Sequence, residues 1–187
     1  MKRIIIDADT GVDDSLAILY ALKSPNFHVE GITTCFGNNN AEQSAENSIR
    51  LIKLSGCGYE VPVIVGANES LEGVFDSAPA FIHGDNGIGN VILPESEQRP
   101  LDEKAEDFMI RKAEELDGEL MIITTGRMTN LAKSYLKDPS LPKKVKKVVS
   151  MGGALDVPGN VNPYAEANIY GDARAADLVM SAGFNMI

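Results

Sequence analysis

Short apolar runs alternate with longer amphipathic segments along this chain. Arg3 to Asp7, Val29 to Thr34, Val61 to Val65, Leu120 to Thr124 and Val145 to Ser150 predict strands. They are apolar nearly throughout rather than at every second position, the pattern of strands buried on both faces of a parallel sheet. Between them, Asp13 to Leu22, Ala41 to Ser55, Asp102 to Leu116, Met128 to Leu136 and Asp172 to Ser181 carry helical periodicity. Asn40, Asp102 and Gly171-Asp172 supply helix starts, and Gly56, Gly118 and Gly183 supply stops. The alternation predicts an α/β fold: an open, doubly wound, mostly parallel sheet with helices on both faces. Gly66 to Pro100, rich in Gly, Asp, Asn and Pro, lacks periodicity, and a loop of that length is usually functional. Phe184 to Ile187 reads as the start of one more strand, which a βα unit needs to bury its helix. Residues 1–187 are therefore expected to form a single α/β domain, interrupted partway through a larger sheet.

Composition narrows the partners. A chain of 187 residues can bury one full-sized core, and 44% hydrophobic with 24% charged residues is ordinary for a globular protein. A formal net charge of -10 repels a nucleic-acid backbone. The basic stretch Lys143-Lys144-Val145-Lys146-Lys147 precedes an apolar run and reads as solvation of a strand entrance. Cys35 and Cys57 are too few for a disulfide framework and have no CxxC spacing. No apolar run reaches membrane-spanning length, and the first strand begins too early for a secretory signal. The expectation is a cytoplasmic protein with neither a nucleic-acid nor a membrane partner.

The chemistry concentrates where strands end. Asp7-Ala8-Asp9-Thr10-Gly11-Val12-Asp13-Asp14 directly follows Ile4-Ile5-Ile6 and packs four carboxylates into eight residues. Like charges this close repel, and hard oxygen ligands of this kind suit Ca²⁺ or Mg²⁺. The plainer reading is a solvated acidic turn with an Asp helix cap. Its position favours a ligand site, because ligands gather at the carboxyl ends of strands in open α/β sheets. Thr124-Thr125-Gly126 ends another strand and could aim hydroxyls or carbonyls at a cation. His83-Gly84-Asp85-Asn86-Gly87 adds an imidazole on a flexible loop that, alone, reads as a surface turn. Met151-Gly152-Gly153 leads into Asn160, Glu166 and Asn168, whose donors and acceptors suit a polyhydroxylated ligand, although Asx turns account for each Asn singly.

Together these motifs resemble the inosine-uridine preferring nucleoside hydrolases. The acidic loop is similar to that family's DxDxGxDD signature. The likeness continues in order through Gly37-Asn38, His83-Gly84, Thr125-Gly126-Arg127-Met128-Thr129-Asn130-Leu131, Met151-Gly152-Gly153 and Asn160…Glu166…Asn168, from Ile4 to Ala176. It implies a ribonucleoside N-glycosidase that hydrolyses purine and/or pyrimidine nucleosides to ribose and base with a Ca²⁺-bound water. Asp9 would ligate Ca²⁺ and act as general base, with Asp14 and the Thr125 carbonyl as further ligands. Asp13 and Asn168 would hold ribose hydroxyls, and Asn160 and Glu166 the 5′ side. Asn38 would orient the metal and water region, Met151 pack on the sugar and His83 lie near the departing base. Asp7 would support the loop. An oxocarbenium-like transition state is stabilised by such carboxylates, and a metal lowers the pKa of its water.

The family also commonly forms homodimers or homotetramers. Departures are Asn86 where the family has Asp, Arg127 where it has Pro or Gly, and Ala167 where Phe is frequent. Family members are longer, and their C-terminal portion supplies another Asp ligand and, in many, a His for the leaving group. Residues 1–187 are thus expected to carry most of such a site, with weakened hold on Ca²⁺.

Two rivals stand beside this reading. A haloacid-dehalogenase-type phosphatase would use Asp7 as nucleophile, Asp9 as acid/base, Thr124 or Thr125 at a strand end, and Mg²⁺. It leaves Asp13-Asp14, Met151-Gly152-Gly153 and the Asn/Glu run without a role. The other is a relative that folds but binds nucleoside weakly or not at all.

Overall fold

The computed structural model describes residues 1–73 and 80–187. In chain order the elements are β1 (Lys2–Ala8), α1 (Val12–Lys23), β2 (Phe27–Thr34), α2 (Ala41–Ser55) and β3 (Val63–Val65). There follow α3 (Ala80–His83), α4 (Ala105–Glu115), β4 (Leu120–Thr124), α5 (Thr129–Lys137), α6 (Leu141–Lys144), β5 (Lys147–Ser150), α7 (Ala167–Gly171) and α8 (Ala173–Ser181). Among the described residues the strands form one five-stranded sheet in the order β3-β2-β1-β4-β5, and every pairing is parallel. This is the α/β, doubly wound arrangement that the unbroken apolar runs predict.

Successive residues of β1 feed opposite layers, as a period of two requires. Ile4 and Ile6 pack with Ile18, Ala45 and Ile49 under α1 and α2. Ile5 packs with Phe108, Leu131 and Val179 under α4, α5 and α8. Burial on both faces is why these strands have no polar side to alternate with. Glu30 interrupts the register where Ile4 opposes Val29 and Ile5 opposes Gly31. Its carboxylate is almost fully buried and ion-paired to Arg3 and Lys112, so burying the charge does not strand it.

Several boundaries differ from expectation. The third strand is Val63–Val65 rather than beginning at Val61, because Pro62 offers no N–H to a ladder. The fifth begins at Lys147 rather than Val145. Helix α4 starts at Ala105 with Lys104 at its cap, not at Asp102, because Leu101 donates its N–H to the Val63 carbonyl at 2.7 Å and stays extended along the sheet edge. The run Phe184 to Ile187 lies parallel beside β5, with Met186 bridged to Val148. No helix among the described residues is long and apolar enough to cross a membrane.

The order of strands places the chemistry. From β1 the chain winds through β2 to β3 on one side, then returns to lay β4 and β5 on the other. The crevice at such a reversal, outside the carboxyl ends of the central strands, is where open α/β sheets receive ligands. The acidic loop leaves β1 there, and Thr125 leaves β4 beside it.

Candidate active site

The acidic loop bends from β1 into α1, and its side chains part company on the way. Asp13 is exposed, whereas Asp7, Asp9 and Asp14 are 0%, 3% and 1% exposed. Asp14 sits in the first turn of α1 and reaches back to accept the Gly11 N–H at 2.8 Å, where a carboxylate also meets the positive end of the helix. Asp9 accepts the Asn38 N–H at 2.8 Å through Oδ2, and Asn38 Nδ2 donates to Asp14 Oδ2 at 3.3 Å. Two glycines make this approach possible. At Gly37, whose φ is +156°, a Cβ would overlap the Asp9 carboxylate. At Gly11 a Cβ would overlap Asn38 Nδ2 and come within 2.9 Å of His83 Nδ1.

Asp9 Oδ1 and Asp14 Oδ1 have no hydrogen-bond partner, and neither does Asp7 Oδ2 deeper in the loop. Burial, then the Asp14 charge, pushes the Asp9 carboxyl well above the usual range, with the Asn38 N–H and the Arg127 guanidinium opposing. Burial raises Asp14 as well, against the Thr125 hydroxyl and the Gly11 N–H. Two neighbouring carboxylates with bare, buried oxygens form an arrangement that a hard divalent cation would relieve. Among the described residues no group of three or more His, Cys, Asp or Glu side chains is placed to hold a metal. Asp9 and Asp14 are the pair that brings bare oxygens together here, while the Thr125 carbonyl, expected as a further ligand, accepts Asn168 Nδ2 at 2.8 Å.

Beside this pair opens a cleft of ≈ 500 Å³. Asp13, Asn38, His83, Thr125, Met151, Asn160, Glu166 and Asn168 line it, the last four from the segment after β5. All eight were singled out in the sequence, and the fold draws them together from the segments that follow all five strands. His83 accepts the Val12 N–H at 3.3 Å through Nδ1, which seats the ring at the start of α1. Asn47 Nδ2 steadies the same loop by donating to the Asn86 carbonyl at 2.8 Å.

The part of the lining that follows β5 is built on the short helix α7. Glu166 caps it, accepting the N–H groups of Asn168 and Ile169 at 2.9 and 3.3 Å, and also takes the Gly153 N–H at 3.0 Å. Asn160 Oδ1 accepts the Ala167 N–H at 2.9 Å. Asn168 Nδ2 donates to the carbonyls of Thr125 and Met151 at 2.8 and 3.0 Å, tying the loops after β4 and β5 together. The two Asn168 contacts span 43 and 17 residues, so a local Asx turn does not explain them.

Several residues of the site escaped the sequence. Phe36 is fully buried and stacks under Arg127, whose Cζ lies 4.2 Å from the ring centroid. That seat brings a cation within electrostatic reach of Asp9. Asn47 could have been suspected, since with Ser44 and Ser48 it places polar atoms on the buried stripe of α2. Asp7, the nucleophile of the phosphatase reading, does not open to the cleft. Its Oδ1 accepts Thr33 Oγ1 and Asn130 Nδ2 at 2.7 and 2.8 Å, and the residue is fully buried, so it supports the loop instead.

The model of the family described as inosine-uridine preferring nucleoside hydrolase matches residues 4–187. The chain belongs to that family. It is 43% identical over 182 residues to uridine nucleosidase 1 of Arabidopsis thaliana, covering 97% of this chain and 54% of that protein. Among solved structures, the plant nucleoside hydrolase PpNRh1 superposes with a TM-score of 0.95 at 41% identity, over 99% of this chain and 58% of its own. A purine-preferring ribonucleoside hydrolase from Gardnerella vaginalis does so with a TM-score of 0.95 at 42% identity, over 99% and 59%. This chain thus spans little more than half the length of the nucleoside hydrolases it matches.

Proposed function

We propose that the cleft hydrolyses the N-glycosidic bond of ribonucleosides, releasing ribose and the free base. The observation that carries this reading is the pair of bare, buried oxygens on Asp9 and Asp14, joined through Asn38, which bonds both acids and lines the cleft at the sheet's reversal point. Asp9, Asp14 and the Thr125 carbonyl would hold Ca²⁺, which when bound fixes vicinal ribose hydroxyls and acidifies a water. Asp9 Oδ1, bare in the fold, accepts the proton of the attacking water. Asp13 at the rim and Asn168 on α7 orient the sugar hydroxyls, with Asn160 and Glu166 at its 5′ side. The carboxylates offset the positive charge that develops on the ribosyl ring as the bond breaks. Met151, half-exposed over the cleft, gives the sugar an apolar face to rest on. His83 lines the same cleft, where the departing base leaves.

The named relatives act on uridine in one case and prefer purine nucleosides in another, so both base classes belong in the trial. The purified chain is incubated with uridine and with inosine, with Ca²⁺ and without phosphate. Free ribose appearing one-for-one with free base supports the reading. Intact nucleoside, or release only as ribose 1-phosphate when phosphate is added, overturns it.

A further inference from the structure

Thr129 and Asn130 belong to the motif after β4 yet touch no part of the cleft, and both are fully buried. A buried amide is costly unless its donors and acceptor are met, and a leucine of similar size would fill the same space without that cost. Here both polar side-chain atoms of Asn130 are engaged, through three bonds at or just beyond the ends of three strands. Its Nδ2 donates to Asp7 Oδ1 at 2.8 Å, at the end of β1, and to the Thr34 carbonyl at 2.9 Å, at the end of β2. Its Oδ1 accepts the Ala67 N–H at 2.9 Å, just after β3. Gly66 clears the place for it, because a Cβ there would overlap both the Asn130 amide and the Thr34 carbonyl.

The atoms it holds are those from which the site departs. Asp7 is two residues before Asp9, and its carbonyl accepts the Thr125 N–H at 2.8 Å. Thr34 is followed by Cys35, whose N–H reaches the Ala8 carbonyl at 3.0 Å, and then by Gly37 and Asn38, which meet Asp9. Asn130 itself stands five residues beyond Thr125. We propose that Asn130 is a positioning residue, a buried amide that splices the ends of β1, β2 and β3 to the start of α5 and so fixes Asp9, Asn38 and Thr125 relative to one another. The inference rests on reading those three residues as parts of one site. A residue that only filled space would affect stability without affecting that geometry in particular.

The test is residue-resolved amide hydrogen exchange on the metal-free chain, comparing the parent with Asn130→Leu, Asn130→Asp and the double variant Asp7→Asn/Asn130→Asp. Asn130→Asp keeps the shape and the bond to Ala67 but turns the donor facing Asp7 and Thr34 into an acceptor. Exchange at the amides of Cys35, Asn38 and Thr125 is expected to quicken about tenfold or more in both single variants, while those of Lys146 and Ala176 stay within about threefold. Adding Asp7→Asn to Asn130→Asp restores a donor between the two positions, so protection at the three amides should recover at least about threefold. Uniform quickening, unchanged exchange at the three amides, or further loss in the double variant would overturn the proposal. Should Asn130→Leu not fold, the Asn130→Asp pair decides. Calorimetric titration with Ca²⁺ runs alongside, with binding at least about tenfold weaker in Asn130→Asp expected, and equal binding counting against the proposal. A parent chain that binds no Ca²⁺ overturns the metal reading, and the exchange pattern still decides the role of Asn130.

Discussion

Gly37 occupies a position where no side chain fits, since its φ of +156° and the closeness of the Asp9 carboxylate each exclude one. Replacing it with Ala must push Asp9 away from the Asn38 N–H or distort the turn that carries Asn38. Gly37→Ala is therefore expected to lower kcat/KM for nucleoside at least about tenfold, a loss of the size that misplaced catalytic groups produce. Steady-state kinetics on the folded variant checks this. Asp9→Ala removes the proposed proton acceptor, and kcat should fall by about 10²–10⁴-fold; near-full activity would rule out the assignment. At this scale the sequence was legible only in part. The spacing of Asp7, Asp9, Asp13 and Asp14 marks a site, but which of the four stand beside the cleft depends on neighbours distant in the chain. Asp7 illustrates the point, for its Oδ1 is held by Thr33 and Asn130, contacts that no spacing reveals.

The strands and long helices are readable because burial on two faces leaves continuous apolar runs, and amphipathic helices leave a stripe. The short elements are not. Helix α7 has five residues, too few for periodicity, and owes its existence to the Glu166 cap and to the bond from Ala167 to Asn160. Helix α8 was legible from Asp172 to Ser181, but the reach of its buried cap Asp172 was not. Its carboxylate accepts the Ala175 N–H at 2.9 Å, the Leu71 N–H at 2.9 Å and Thr129 Oγ1 at 2.7 Å. Asp172→Ala strands three donors and uncaps the helix, so a loss of about 2–4 kcal/mol is expected in urea unfolding, against about 1 kcal/mol for a cap alone. A second element-level prediction concerns the turn between α5 and α6. The Lys144 ammonium, then the Ser140 hydroxyl, holds Asp138 at about 2, below its usual 3.8. A depressed carboxyl adds stability that is present above its unfolded value and disappears as pH falls through the folded one. The stability difference between the parent and Asp138→Asn should thus persist above pH 4 and vanish near pH 2. A difference that did not change across that window would contradict the pairing.

Strand order, not any single element, turns scattered motifs into one cleft. The sequence places Asp9, Asn38, Thr125, Met151 and Glu166 after successive strands or in the loops beyond them. Only the order β3-β2-β1-β4-β5 shows that the loops after β1 and β4 are neighbours at the reversal point. The likeness to nucleoside hydrolases made the candidate residues legible, whereas their support by Asn130, Asn47, Asp172 and the Arg127–Phe36 stack arises from contacts across as many as 123 residues of chain and had to be seen. The account turns on the claim that the Asp9–Asp14 pair beside the cleft is a cation site serving glycosidic cleavage. Ribose release from uridine, followed as a function of free Ca²⁺ in the parent chain and in Asp14→Asn, tests it most directly. The account predicts saturable activation in the parent, none in excess chelator, and a requirement for at least about tenfold more Ca²⁺ in Asp14→Asn. Full activity in chelator, or identical Ca²⁺ dependence in the two proteins, would contradict it.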